Sequence, residues 1–355
     1  MYIRAAALLS VITTSAAQAE TLKIVTDILP VGSLVQSIAG DTAEVTTLLQ
    51  PGDNPHNFAL RPSDARFLAE ADLVIWTGEA LSPFLADPID TLAASATVIE
   101  LLETEGWTPI AWREESHDDH DEHEEHDEHD HDAHAHEEHD HDAHEAEEHD
   151  AHDHDEHDEH DHDDHDEHEE DEHGHEDHDE HDHGDFDPHA WLSPAVLTAW
   201  AGTIQTAIST ASPDMETEIA QNAIQTLADI DYANEAALNA LADVRGIPFV
   251  VSHDALGYFE SAFDVPSAGR IALSDASAPS AARLTEIKEE IEHEGIECIV
   301  SDSQSSPEWV TVVTEGADVR IITIDPLGGQ LAGSPKLASE SIVQIATALA
   351  DCLKG

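Results

Sequence analysis

The 28 histidines of this 355-residue chain are unevenly placed. Residues 114–185 hold 24 of them, interleaved with 40 Asp and Glu and with no Lys or Arg. Four remain elsewhere: His56, His189, His253 and His293. Three of these stand where an imidazole can do chemistry. His56 ends the loop Pro51-Gly-Asp-Asn-Pro-His56, which follows a strand-like run at 44–48. His253 directly follows the run 248–252, and Asp325 directly follows the run 319–324. His189 lies in Asp187-Pro-His-Ala-Trp-Leu-Ser-Pro194, ahead of a helical stretch. Three neutral imidazoles with a carboxylate or a water make a tetrahedral site for a first-row metal. Imidazole suits Zn, Cu, Fe and Ni, whereas Mg and Ca want oxygen shells. His293, on a charged helical run at 286–294, reads as an exposed residue near a helix C-terminus.

The elements that must position these side chains alternate between short apolar runs and helical segments. Runs at 22–26, 44–48, 72–76 and 97–101 favour strands, with helices expected at 30–39, 62–70 and 82–95. The alternation returns after Gly246. Strands are predicted at 248–252, 269–273, 296–300 and 319–324, with helices at 254–263, 280–294, 307–315 and 336–353. In the helix at 280–294, Leu284, Ile287 and Ile291 fall on one apolar stripe. Short apolar strands joined by helical crossovers imply parallel sheets covered on both faces. The fold class is therefore α/β, with two lobes, each a four-stranded parallel sheet flanked by helices. In such sheets ligands bind beyond the carboxyl ends of the strands, where three of the four candidate ligands lie.

Between the lobes runs a helical stretch broken at Ser212-Pro213, an N-cap followed by Pro at the first helical position. Residues 212–245 then read as one long linking helix, with Ile219, Ala223, Leu227 and Ile230 at helical spacing. A helix of about 30 residues spans about 45 Å, a stiff strut. The N-terminal lobe is expected over 20–113 plus 186–211 and the C-terminal lobe over 246–355.

Residues 1–19 read as a signal peptide. Arg4 precedes a small apolar run at 5–17, and Ala17-Gln18-Ala19 is an A-x-A cleavage site. The run is short of the roughly 20 residues that span a bilayer. No cysteine lies near the cleavage point, so no lipid anchor is indicated. Export makes a disulfide between the two cysteines, Cys298 and Cys352, the favoured reading over two buried thiols. Closing that loop stabilises a fold by about 4 kcal/mol in the chain-entropy model. The 114–185 tract has no aliphatic residue larger than Ala, so it is expected to be disordered. Removing its 40 negative charges brings the net charge from −67 to −27. Such a surface repels nucleic acid and anionic lipid and attracts cations. Within the tract, His-Asp-Glu-His and His-Asp-His repeats offer several weak, exchanging metal sites.

The mature chain resembles the cluster of ABC-importer solute-binding proteins that carry zinc or manganese, and within it the periplasmic zinc-uptake type. The stretches that carry the resemblance are Gly52 to Phe58 with Leu60-Arg-Pro-Ser-Asp64, then Ala71-Asp72 and Asp187-Pro-His-Ala-Trp191. Ser252-His-Asp-Ala-Leu-Gly-Tyr-Phe259 and Ile324-Asp-Pro-Leu-Gly328 complete the set. The resemblance implies metal ligands at His56, His189 and His253, a metal between two lobes joined by a long helix, a His/acid-rich insertion in this place, and a disulfide at Cys298 and Cys352. Manganese relatives typically use two His and two carboxylates, so a third His points to Zn²⁺. Some zinc relatives have Glu directly before the first His; here Pro55 stands there and cannot ligate. Asp325 or a water is then the fourth ligand. Asp53 and Asp254 are sequence-near candidates to orient the imidazoles.

The implied function is capture of Zn²⁺ in the periplasm and delivery to the membrane permease of an ABC importer, by a chain expected to be monomeric. A zinc buffer uncoupled from import and a manganese-binding relative are the alternatives. Nothing resembles H-E-x-x-H, a G-x-S-x-G elbow or a Gly-rich phosphate loop, so no enzyme is expected.

Overall fold

A computed structural model describes residues 21–113, 186–272 and 278–355. The expected signal peptide and the His-rich tract lie outside the described residues.

The first sheet is built from β1 (Leu22–Thr26), β2 (Ala43–Thr47), β3 (Leu73–Trp76) and β4 (Thr97–Glu100). Its order is β2-β1-β3-β4, and all pairs are parallel. Helices α1 (Leu29–Ala39), α2 (Pro62–Ala69) and α3 (Ala86–Leu92) connect these strands. β3, Leu-Val-Ile-Trp, is buried at every residue because helices cover both faces of the sheet. The helix expected over 82–95 is instead a 3₁₀ turn at Pro83–Leu85 followed by α3. Pro83 starts the first piece and Pro88 lies in the first turn of the second, each fixing φ and removing a donor, which favours two short starts over one continuous helix.

The second sheet repeats this arrangement. It comprises β5 (Val250–His253), β6 (Gly269–Ala272), β7 (Cys298–Asp302) and β8 (Arg320–Ile324), ordered β6-β5-β7-β8 and again all parallel. Between the sheets lie α4 (Pro194–Ala211) and α5 (Glu216–Leu241). The second sheet is followed or crossed by α6 (Gly257–Phe263), α7 (Ala281–Glu294), α8 (Pro307–Val313) and α9 (Leu337–Lys354). Ser280 caps α7 by accepting from the Arg283 amide at 3.1 Å. Ile287 and Ile291 of its stripe are buried with Val250, Ile271 and Ile299 in a small core of the second lobe. Truncating such an Ile costs about 2–5 kcal/mol.

The 26 residues of α5 extend about 39 Å. Ile219, Ala223 and Ile230 are buried, as their spacing predicts. The helix is anchored at both lobes. Asn222 Nδ2 donates to the Ile38 carbonyl at the end of α1 (3.2 Å), and Thr226 Oγ1 meets Ser37 Oγ. Lys336, at the start of α9, reaches Asp229 at 2.9 Å. A disulfide joins Cys298, the first residue of β7, to Cys352 in the last turn of α9.

Two strands of the second sheet start and end later than expected. β5 begins at Val250, past Pro248, whose missing N–H cannot join a ladder. β7 runs two residues beyond the apolar run, through Ser301 and Asp302. Both shifts carry polar residues at strand ends, His253 and Asp302, into one place.

Candidate metal centre

His56 is set by a tight loop after β2. Gln50 O accepts from the Asp53 amide (2.9 Å), and Asp53 Oδ2 accepts from the Gln50 amide (2.9 Å) and from the Arg61 guanidinium. Asn54 Oδ1 accepts from the His56 amide at 2.8 Å, an Asx turn that orients the residue. His56 is half-buried.

His189 precedes a 3₁₀ turn at Ala190–Leu192. A single oxygen, Asp187 Oδ1, accepts from its backbone amide (2.9 Å) and lies 2.7 Å from its ring Nδ1. His253 is the last residue of β5, and its Nδ1 lies 3.3 Å from Asp302 Oδ2 at the end of the neighbouring β7. Both residues are 3% exposed. With a carboxylate at Nδ1, each ring is held in the tautomer that leaves Nε2 for a metal.

The three rings converge. Their centroids are 5.6 Å apart for His56 and His189, 6.2 Å for His56 and His253, and 5.1 Å for His189 and His253. One candidate ligand atom from each lies within 4.8 Å of the other two. Zn–N bonds of about 2.0–2.1 Å in a tetrahedron put the nitrogens about 3.4 Å apart, so an ion would draw the rings slightly inward. The rings of Trp191 and Trp112 lie 5.4 Å and 6.3 Å from His189 and line the site on that side. Apolar walls lower the local dielectric and strengthen the pull of neutral donors on a cation.

Among the described residues no carboxylate joins this group of ligand atoms. Asp325 follows β8 as expected, but its oxygens are directed into its own turn. Oδ1 accepts from the Leu327 amide (3.0 Å) and Oδ2 from the Gly329 amide (2.7 Å). The Asp-Pro-Leu-Gly sequence makes a turn that this carboxylate caps. The orienting carboxylates also differ from the sequence-near candidates. Asp53 serves its own loop and Arg61, and Asp254 pairs with Arg270 at 3.5 Å. Asp187 and Asp302 stand in their place. Asp187 could have been found two residues before His189. Asp302 ends a strand parallel and adjacent to that of His253, a signal visible only once strand order is known.

A cavity of about 630 Å³ lined by Trp107, Ser193, Asp231 and Tyr258 contains none of the three histidines. A bare ion needs converging donors rather than volume, so the histidine cluster stands apart from this cavity. The Tyr258 hydroxyl there accepts from the Ile110 amide (2.9 Å), and burial pushes its pKa up to about 12.

Three imidazoles gathered where two parallel α/β sheets meet, with a long helix between the lobes, define a metal-binding solute-binding protein. The family model for the periplasmic zinc-uptake complex component A, ZnuA, matches residues 24–352, and the chain belongs to that family. It is 40% identical over 338 residues to the high-affinity zinc uptake system protein ZnuA of Paracoccus denitrificans, covering 95% of this chain and 93% of that one. The protein of the same description from Haemophilus influenzae is 36% identical over 330 residues, covering 93% and 92%. Among solved structures, a zinc-bound ZnuA deletion mutant superposes with a TM-score of 0.67 at 16% identity, covering 94% of this chain and 98% of that one. The periplasmic zinc-binding protein TroA of Treponema pallidum gives 0.67 at 17% identity, covering 93% and 98%. These two likenesses concern the fold.

Proposed function

We propose that this chain binds one Zn²⁺ through His56, His189 and His253 in the periplasm and delivers it to the membrane permease of an ABC importer. The observation that carries the reading is the convergence of three imidazoles, from two loops and the end of β5, on one point. Neutral nitrogen donors in an apolar surround favour zinc over oxygen-seeking cations. A water completes the tetrahedron, since the Asp325 carboxylate caps its own turn.

Export through the signal peptide at 1–19 puts the binding site in the compartment from which an importer draws. No helix among the described residues is long and apolar enough to cross a membrane. The chain works as a monomer that docks on the permease. The 24 histidines of 114–185 act beforehand, collecting zinc weakly and raising its concentration near the tight site.

Metal analysis and titration of a chain lacking 114–185 test the reading, with one tightly held zinc as the expected result. Affinity should fall as pH is lowered from about 7.5 to 5.5, because protons compete with zinc for the imidazole nitrogens. A chain that retains no zinc, or that prefers manganese in competition, sinks the proposal. Faster zinc loading by the full chain than by the shortened one tests the collecting role.

A further inference from the structure

His56 belongs to the first lobe, whereas His253 belongs to the second, so their spacing depends on how closely the two lobes meet. The 51–56 loop is braced from the second lobe at two points. Gln304 donates its backbone N–H to Asp302 Oδ1 (2.7 Å) and its side-chain Nε2 to the Asp53 carbonyl (3.2 Å). The carboxylate beside His253 is thus connected through one residue to the loop of His56. The second brace is steric. The turn after β8 is folded by Asp325, with Gly328 in the left-handed region (φ +66°) and the Gly329 amide on Asp325 Oδ2. This turn presents Gly329 directly to Pro51. A Cβ on Gly329 would lie 3.1 Å from Pro51 Cβ, 3.3 Å from Pro51 Cα and 3.0 Å from Asp325 Oδ2. Only a hydrogen fits there without movement of a few tenths of an ångström. The same turn holds the His189 loop, since Trp191 Nε1 donates to the Pro326 carbonyl at 2.9 Å.

We propose that Gly329 is a positioning residue for zinc capture: its bare Cα lets the 51–56 loop approach the second lobe closely enough for the His56 imidazole to share an ion with His189 and His253. Asp325 acts with it, through the turn rather than on the metal. The inference rests on the three-histidine reading. A zinc site tolerates only about 0.2 Å in ligand distance, so a displacement of that size at Pro51 matters to the ion even where the fold absorbs it.

The test uses the full-length protein and four forms: wild type, Gly329→Ala, Pro51→Gly and the double variant. Zinc dissociation is followed by chelator competition, the ligand field by the visible spectrum of the Co²⁺-loaded protein, and apo stability by urea unfolding. Gly329→Ala is expected to weaken zinc about 10-fold or more, in the range of changes that misplace a ligand, and to alter the Co²⁺ spectrum. Its cost should shrink in the Pro51→Gly background, where the opposing Cβ is gone. Apo stability should fall too little to account for the loss. If wild type binds zinc and Gly329→Ala matches it in affinity and spectrum, the positioning role is overturned. An equal cost in both backgrounds also overturns it, by removing Pro51 from the effect. Failure of wild type itself to bind zinc would instead defeat the three-histidine reading.

Discussion

The two sheets share one strand order, yet their central strand ends are used differently. In the first lobe Asp27 follows β1 and is fully buried. Its Oδ2 accepts from the Thr77 amide just past β3 (2.9 Å) and from Ser82 Oγ (3.0 Å). In the second lobe the first central strand ends in an imidazole, His253, and the carboxylate stands on the partner strand as Asp302. Asp302 also receives Gln304, and its amide donates to Ser252 Oγ at 2.8 Å. One lobe staples its switch point shut with an acid that takes only hydrogen bonds. The other aims an imidazole outward and uses the acid to hold it. The same topology offers both places, and side chains at strand ends decide which becomes a binding site.

The strongest way to break the contrast is to remove the imidazole. His253→Ala should lower zinc affinity on the order of 1,000-fold or more, since loss of an outer partner alone costs about 10–100-fold. Chelator competition measures it, and near-normal affinity would show that the second lobe supplies no ligand. Reducing and alkylating Cys298 and Cys352 frees the opposite end of β7 from α9. It should lower unfolding free energy by about 4 kcal/mol in urea while the metal-binding end of the strand keeps its affinity.

Asp302→Ala sharpens the comparison, with an expected 10–100-fold weakening of zinc at a modest cost in apo stability. The smallest effect belongs to Asp27→Asn. Burial, the largest cause, raises the Asp27 pKa above its ordinary value, against hydrogen bonds that lower it. Its contribution to stability is full below the unfolded value of about 3.9 and is lost as pH rises through the folded value. The unfolding free energy of the Asn variant relative to wild type should therefore improve as pH is raised from about 3 to 7, with zinc affinity unchanged. A pH-independent difference would show that Asp27 does not titrate differently in the folded chain.

Much of this was legible in the sequence. β1 spans the predicted residues, the other strands shift by one to two residues at an end, and His56, His189 and His253 meet as their places in the chain predict. The misses have a common cause. The apolar run stops at Val300, but the strand continues to Asp302, whose carboxylate lies beside His253. Asp325 lies outside the three-histidine group for a related reason: adjacency to a strand end gives nearness, whereas the direction of a carboxylate is set by the turn it caps. Asp302 required knowing that β7 lies beside β5, a non-local pairing that no local pattern encodes.

The anchoring of α5 to both lobes has a mechanical consequence. Its buried face, from Ile219 to Leu241, is continuous with the core that also contains Ile38 and Leu349. A wide hinge swing would peel that face from one lobe and expose aliphatic side chains at about 1.5–3 kcal/mol each. Loading and unloading are therefore cheaper as small displacements of the three histidine-bearing segments, on a chassis that keeps its length and angle whether it travels full or empty.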